Sequence, residues 1–252
     1  MKKLFIDIET APNLVYTWGL FNQNVGLEQI VAPGYTLCWA AQWDHEKKVM
    51  FSSKYHDGEE AMLKGIYHLL DEADMVIHYN GRRFDVPILN KDFVRHHLPP
   101  PDSYSQIDLL QTVRSRFRFA SNKLDFVSQF LGLDAKYEHK GMQLWTGCMA
   151  GEEKSWNIMK KYNIQDVKML PKFYKQILPW IQDHPNEGLY IDEDVQVCTN
   201  CGSDDIKMNG VERLSTQTYQ RYRCNNCGTP LRGRSTILSP AKRKTILTSS
   251  KL

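Results

Sequence analysis

The chain has 252 residues, 42% of them hydrophobic, and a formal net charge of +3, enough to bury an α/β core and carry a small second domain. No run approaches the eighteen apolar residues of a membrane span, and Asp7 and Glu9 interrupt the apolar start too early for a secretory signal, so a cytoplasmic location with reduced thiols is expected. The charge is uneven: residues 198–252 hold ten Lys/Arg against three Asp/Glu, a net of +7, while the rest nets −4, which predicts a polyanionic partner for the C-terminal part or, more plainly, a soluble basic extension.

Residues 3–9, Lys-Leu-Phe-Ile-Asp-Ile-Glu, read as a buried central strand with two carboxylates at positions i and i+2 on one face. Burying both raises their repulsion unless cations lie between them, and hard divalent ions such as Mg²⁺ or Mn²⁺ suit oxygen ligands of this kind. Residues 11–34 are irregular, rich in Asn, Gly and Pro, and long for a plain connection, which favours a flap near the site around Trp18-Gly19-Leu20-Phe21. Two strands follow at 35–43 and 48–52, then a helix with Ala61, Met62, Ile66, Leu69 and Leu70 on its apolar face. A buried strand at 75–79 ends in the turn signal Asn80-Gly81, and Asp85 either projects into the crevice at the strand ends or caps the next helix. That helix runs through Val94 until Pro99-Pro100-Pro101 stop it, and 105–108 form a fifth strand ending at Asp108, read as a helix cap rather than a metal ligand. Arg114, Arg116, Phe117, Arg118 and Phe119 either line a strand-entry path or form a solvated arginine face over buried phenylalanines. A long helix over 152–181, with a break or kink expected at Pro171, projects Tyr162 and Asp166 from one face, one turn apart.

Asp7-Ile8-Glu9, Asn80-Gly81-Arg82-Arg83-Phe84-Asp85 and Tyr162-Asn163-Ile164-Gln165-Asp166, in this order, resemble the three exonuclease motifs of the DEDD superfamily of RNase H-like, DnaQ-like 3′→5′ exonucleases. Tyr162 stands four residues before Asp166, and Lys161 occupies the position where the other branch has a histidine, so the chain is similar to the tyrosine branch. Leu124-Asp125-Phe126 and Phe130-Leu131-Gly132-Leu133 are similar to a helix common in these enzymes. The resemblance implies an RNase H-like α/β fold with a mixed five-stranded sheet flanked by helices, and a two-metal-ion phosphodiester hydrolase acting on single-stranded or 3′-ended DNA or RNA. It further implies that Asp7, Glu9, Asp85 and Asp166 hold two Mg²⁺ or Mn²⁺ ions, that Tyr162 orients the attacking water, and that Thr10 and Asn80 contact nucleic acid. An RNase H-like endonuclease or ribonuclease, and an adaptor that binds nucleic acid with little cleavage, stand as alternatives.

Cys198-x-x-Cys201 and Cys224-x-x-Cys227, each followed by Gly and separated by 22 residues, predict two knuckles around one tetrahedral Zn²⁺, with 206–223 as a hairpin between them. Cys38 and Cys148 sit among apolar residues and read as inert core. The segment resembles zinc ribbons at the ends of some transposases and phage proteins, which implies nucleic-acid binding. Tyr219, Arg221 and Arg223 alternate onto one strand face, a combination suited to phosphate contact and base stacking. A structural zinc clip, or docking of a replication or recombination protein, is the other reading of the ribbon. The expected organisation is a nuclease domain at 1–182, an acidic linker at 183–195, a small β zinc ribbon at 196–238 and a basic disordered tail at 239–252.

Overall fold

Hydrophobic alternation along the first strand decides what each face of the main sheet packs against. The computed structural model describes residues 1–133 and 141–250, which divide into two compact units, Lys2–Tyr174 and Lys175–Leu252 with Met1. In the first unit, β1 (Lys3–Thr10) is the middle strand of a five-stranded sheet, joined by β4 (Thr36–Trp43), β5 (Met50–Ser53), β6 (Met75–His78) and β7 (Ser105–Asp108) in the order β5-β4-β1-β6-β7. β1 runs antiparallel to β4 and parallel to β6, so the sheet is mixed. Leu4, Ile6 and Ile8 point to one face and pack with Trp39, Trp43, Met62, Leu63, Ile66, Leu89 and Phe93, the apolar sides of β4, α2 (Glu59–Glu72) and α3 (Asp85–Arg95). Phe5, Asp7 and Glu9 take the opposite face. There Phe5 meets Tyr174 edge-on at 5.7 Å between ring centroids, within a helix over Glu153–Ile177.

Residues 11–34 are not structureless. They fold back on themselves through β2 (Leu14–Val15) and β3 (Ile30–Ala32), tied at the base by Ala11 N–H to the Tyr35 carbonyl, 2.8 Å, and Gly34 N–H to Asn13 Oδ1, 2.6 Å. Trp18, Leu20 and Phe21 stand exposed at the far end. α1 (Lys54–Asp57) is a single turn after β5, and β7 runs straight into α4 (Leu109–Arg116), which Asp108 caps by accepting from Leu110 N–H at 3.1 Å. After α5 (Leu124–Phe130) and α6 (Met142–Met149), α7 (Glu153–Ile177) runs through Pro171 as one continuous helix, where the sequence predicts a break or kink. The buried stripe Met159, Tyr162, Asn163, Asp166, Val167, Leu170, Phe173, Tyr174 and Ile177 lies on both sides of the proline and holds the helix against the sheet despite the missing N–H.

In the second unit, β8 (Ile206–Arg213), β9 (Thr218–Cys224) and β10 (Pro230–Thr236) form an antiparallel sheet in the order β10-β9-β8. The sequence predicts the hairpin but not its third strand, β10. Asn200 donates its side-chain amide to the carbonyls of Leu178, 3.1 Å, and Ile181, 3.3 Å, a buried link between the first knuckle and the 3₁₀ turn Leu178–Trp180. Within the stretch expected to be a disordered tail, Pro240–Lys244 form a short helix, α8, capped by Ser239. Among the described residues, no helix is long and apolar enough to cross a membrane.

Candidate active site and cysteine cluster

The register of β1 sets Asp7 opposite Ala40 and Glu9 opposite Cys38, and small partners leave room on the face that α7 covers. α7 supplies Asp166 to that space, and carboxylate oxygens of Asp7, Glu9 and Asp166 lie within 4.8 Å of one another. Three carboxylates so close repel, and a hard divalent cation bound by oxygen relieves them, so the donor set fits Mg²⁺ or Mn²⁺. Thr10 ends β1 just past the bulge after Glu9.

Asp85 is not the cap of α3. It occupies the first helical position after the N-cap Phe84, is buried, and reaches the central strand, where its Oδ1 accepts from Ile8 N–H at 3.0 Å. Its carboxylate is therefore anchored between Asp7 and Glu9 in the chain while lying outside the three-acid cluster. Burial pushes its pKa up to about 7 against the pull of the Ile8 N–H, and the charge of Asp108 adds to the rise. Asn80 adopts left-handed backbone geometry, φ 73°, and its N–H donates to Asp108 Oδ1 at 2.9 Å. Gly81 follows because a Cβ there would meet the His78 ring at 2.4 Å. His78 Nδ1 accepts from Gly81 N–H, 3.1 Å, and Nε2 faces Gln106 Oε1, 3.2 Å, while burial lowers the ring's pKa and keeps it neutral. A neutral histidine thus shapes the turn that presents motif residues Asn80 and Asp85. Arg114 lines an open cleft of about 660 Å³ with Asn80, Tyr79 and Lys123, whereas Arg116 and Arg118 are exposed and Phe119 packs edge-on with Phe130 at 5.3 Å.

Tyr162 is buried on α7 against Trp145, ring centroids 6.1 Å apart. Burial, the negative charges of Asp166, Glu9 and Asp7, and a hydrogen bond to Asp166 together hold its phenol far above the ordinary tyrosine range, so it keeps its proton at any working pH. One side chain escapes sequence reasoning. Asn163, fully buried, donates its amide to Asp7 Oδ2 at 2.7 Å and to the Asp7 carbonyl at 3.3 Å, and the Cys38 thiol donates to its Oδ1 at 3.8 Å. Cys38 behaves as the sequence implies, its thiol held protonated by burial beside Glu9 and Asp7, and burial pushes Cys148 up to about 12. Only the spacing of Asn163, three residues before Asp166 on the same helical face, hints at its role.

A model of the RNase H superfamily matches residues 4–178. The chain belongs to the RNase H superfamily. Among solved structures, the family B DNA polymerase from the hyperthermophilic archaeon Pyrobaculum calidifontis is similar at a TM-score of 0.53 and 14% identity, over 71% of this chain. The match covers 24% of that polymerase's length, and the likeness is one of fold. No protein of curated function matches the chain in sequence. Membership gives this chain an RNase H-like nuclease fold, and nucleases of this kind use divalent metals, for which the three-acid cluster is suited.

The four ribbon cysteines converge within 4.8 Å of one another, with Sγ–Sγ separations of 3.5 Å for Cys198–Cys227 and 3.6 Å for Cys201–Cys224. Thiolates at 2.3 Å from one tetrahedral ion stand about 3.8 Å apart, so the cluster fits Zn²⁺, and all four cysteines are free of disulfides. Each knuckle has one design. Gly202 N–H returns to the Cys198 carbonyl and Gly228 N–H to the Cys224 carbonyl, at 2.9 and 3.0 Å, with φ of +69° and +81° that only glycine adopts easily.

Proposed function

We propose that the chain is a metal-dependent 3′→5′ exonuclease that hydrolyses phosphodiester bonds of DNA or RNA, with a C-terminal zinc ribbon as its nucleic-acid handle. The observation that carries this reading is the gathering of Asp7, Glu9 and Asp166 within 4.8 Å, with Tyr162 one helical turn from Asp166. Asp7, Glu9 and Asp166 would hold one Mg²⁺ or Mn²⁺, and Asp7 with Asp85 the second. Two such ions supply charge stabilisation at the entering and departing oxygens of an in-line displacement. The protein's own groups do the rest. Asn163 fixes the Asp7 carboxylate, the Ile8 N–H fixes Asp85, and the protonated Tyr162 phenol orients the attacking water without acting as a base. Thr10 and Asn80, at the ends of β1 and β6, contact the strand being cut. Products are nucleoside 5′-monophosphates.

The same reading divides the chain into a nuclease domain at 1–182, a linker at 183–195, a ribbon at 196–238 holding one Zn²⁺ through Cys198, Cys201, Cys224 and Cys227, and a basic tail at 239–252. The test is digestion of 5′-labelled single strands of DNA and of RNA with Mg²⁺ or Mn²⁺. A ladder shortening from the 3′ end is expected; internal fragments would make the chain an endonuclease, and intact substrate with retained binding would make it an adaptor.

A further inference from the structure

The ribbon sheet has a face that metal binding does not explain. Antiparallel pairing sets Lys207 of β8 opposite Arg223 of β9, and Arg221 of β9 opposite Arg232 of β10. Residues directly opposite across a ladder share a face, as do residues two apart on one strand, so these four cations stand side by side. All four are exposed. The other face carries Met208, Tyr222 and Leu231, which are in register across the three strands. Arg234, in the irregular stretch of β10 after Arg232, adds a fifth exposed cation on the same strand.

Like charges directly opposite destabilise a sheet. The fold offsets this only in part: Arg232 lies 3.7 Å from Glu212, and Arg223 donates to the Gly228 carbonyl at 2.7 Å. The Arg232 guanidinium also sits 4.6 Å from the centroid of the Tyr219 ring, so the ring expected to stack on bases is already covered by an arginine. What the face presents is therefore charge, in forked guanidinium groups suited to phosphate oxygens.

We propose that Lys207, Arg221, Arg223 and Arg232 form a sequence-independent binding face for the sugar–phosphate backbone, an inference that rests on the reading of the chain as a nuclease. The face holds the nucleic acid while the carboxylates cut it. The test uses the full, zinc-loaded chain in an Asp7→Asn background, with fluorescence anisotropy of a labelled single strand and of a hairpin duplex over a series of salt concentrations. A variant carrying Lys207→Gln, Arg221→Gln, Arg223→Gln and Arg232→Gln should bind more weakly, and its log-log salt slope should shrink by about 0.7 per lost contact on a single strand or about 0.9 on a duplex. The arm with the larger change identifies the form bound. A charge-keeping variant, Arg221→Lys, Arg223→Lys and Arg232→Lys, should retain the parent slope. Should the fourfold variant lose zinc, Arg221→Gln and Arg232→Gln singly read the same slope one contact at a time. Glutamine variants with the parent slope on both substrates, or a lysine variant that loses slope as the glutamine variant does, would overturn the proposal. Hydrolysis of thymidine 5′-p-nitrophenyl phosphate, which has no backbone beyond the cut, separates the two readings. Equal rates for the wild type and the fourfold variant keep the nuclease reading whatever the ribbon does, and a wild type inert on this ester and on strands removes that reading while the salt slopes still judge the face.

Discussion

Asp85 is held by a backbone N–H of the very strand that supplies two of the three clustered carboxylates, and its burial sets a proton equilibrium near neutrality. Its folded pKa, about 7, lies above the ordinary 3.8, so its contribution to stability is full below about pH 4 and is lost as pH rises through 7. Metal-free protein should therefore lose stability with rising pH over that window, by at most about 1.4 kcal/mol per unit from this group. Asp85→Asn keeps an oxygen for the Ile8 N–H and removes the buried charge. We expect it to raise the metal-free Tm at pH 8 and to flatten that pH dependence while cleavage is lost; a lower Tm at pH 8 would contradict the origin assigned to the shift. Asn163 acts through Asp7. Asn163→Ala should weaken Mn²⁺ binding by about 10- to 100-fold in calorimetric titration, the usual scale for a partner that orients a ligand. Tyr162→Phe should leave Mn²⁺ affinity unchanged and slow single-turnover cleavage by roughly 10²- to 10⁴-fold, because only water positioning is removed.

At the scale of elements, the strands and helices that carry the proposed site were legible because each has a strong period of its own. The alternation of Leu4, Ile6 and Ile8 with Phe5, Asp7 and Glu9 marks both faces of β1, and the spacing of Tyr162 and Asp166 marks the inward side of α7. What stayed hidden depends on tertiary contact. β10, with Pro230, Gly233 and two arginines, has no apolar alternation to announce it, and becomes a strand by pairing with β9. Continuity of α7 through Pro171 follows from buried neighbours on either side, and the link from Asn163 to Asp7 spans 156 residues that no local pattern reports. The ribbon's strands in turn hang on their knuckles. Cys201→Ser should lower zinc from one ion per chain and abolish the ribbon's strand signal in amide hydrogen exchange, since structural zinc contributes on the order of 10 to 16 kcal/mol of apparent binding free energy, while Mn²⁺ binding by the Lys2–Tyr174 unit persists. Protection of β8–β10 that survives in the mutant would show that the small sheet does not need its metal.

For the molecule as a whole, the acids of the proposed site and the cysteine cluster fall in different units. Asp7, Glu9, Asp85, Tyr162 and Asp166 all lie in Lys2–Tyr174, and the four convergent thiols all lie in Lys175–Leu252. Asp7 and Glu9 occupy the middle strand of the sheet, where apolar side chains would stabilise the fold more, and Asp85 and Asp166 are carboxylates buried on α3 and α7. Most proteins sit only a little above the stability they need. A population of this chain propagated in the laboratory under selection for soluble expression alone should thus accumulate replacements at those four acids before it tolerates change at Leu4 or Ile6, and sequencing the drifted pool would reveal the order. Retention of all four acids in such a pool would mean that they support folding as well as cutting. Loss of the acids ahead of Leu4 and Ile6 would make the intact quartet a record of use, a set of residues that folding by itself discards.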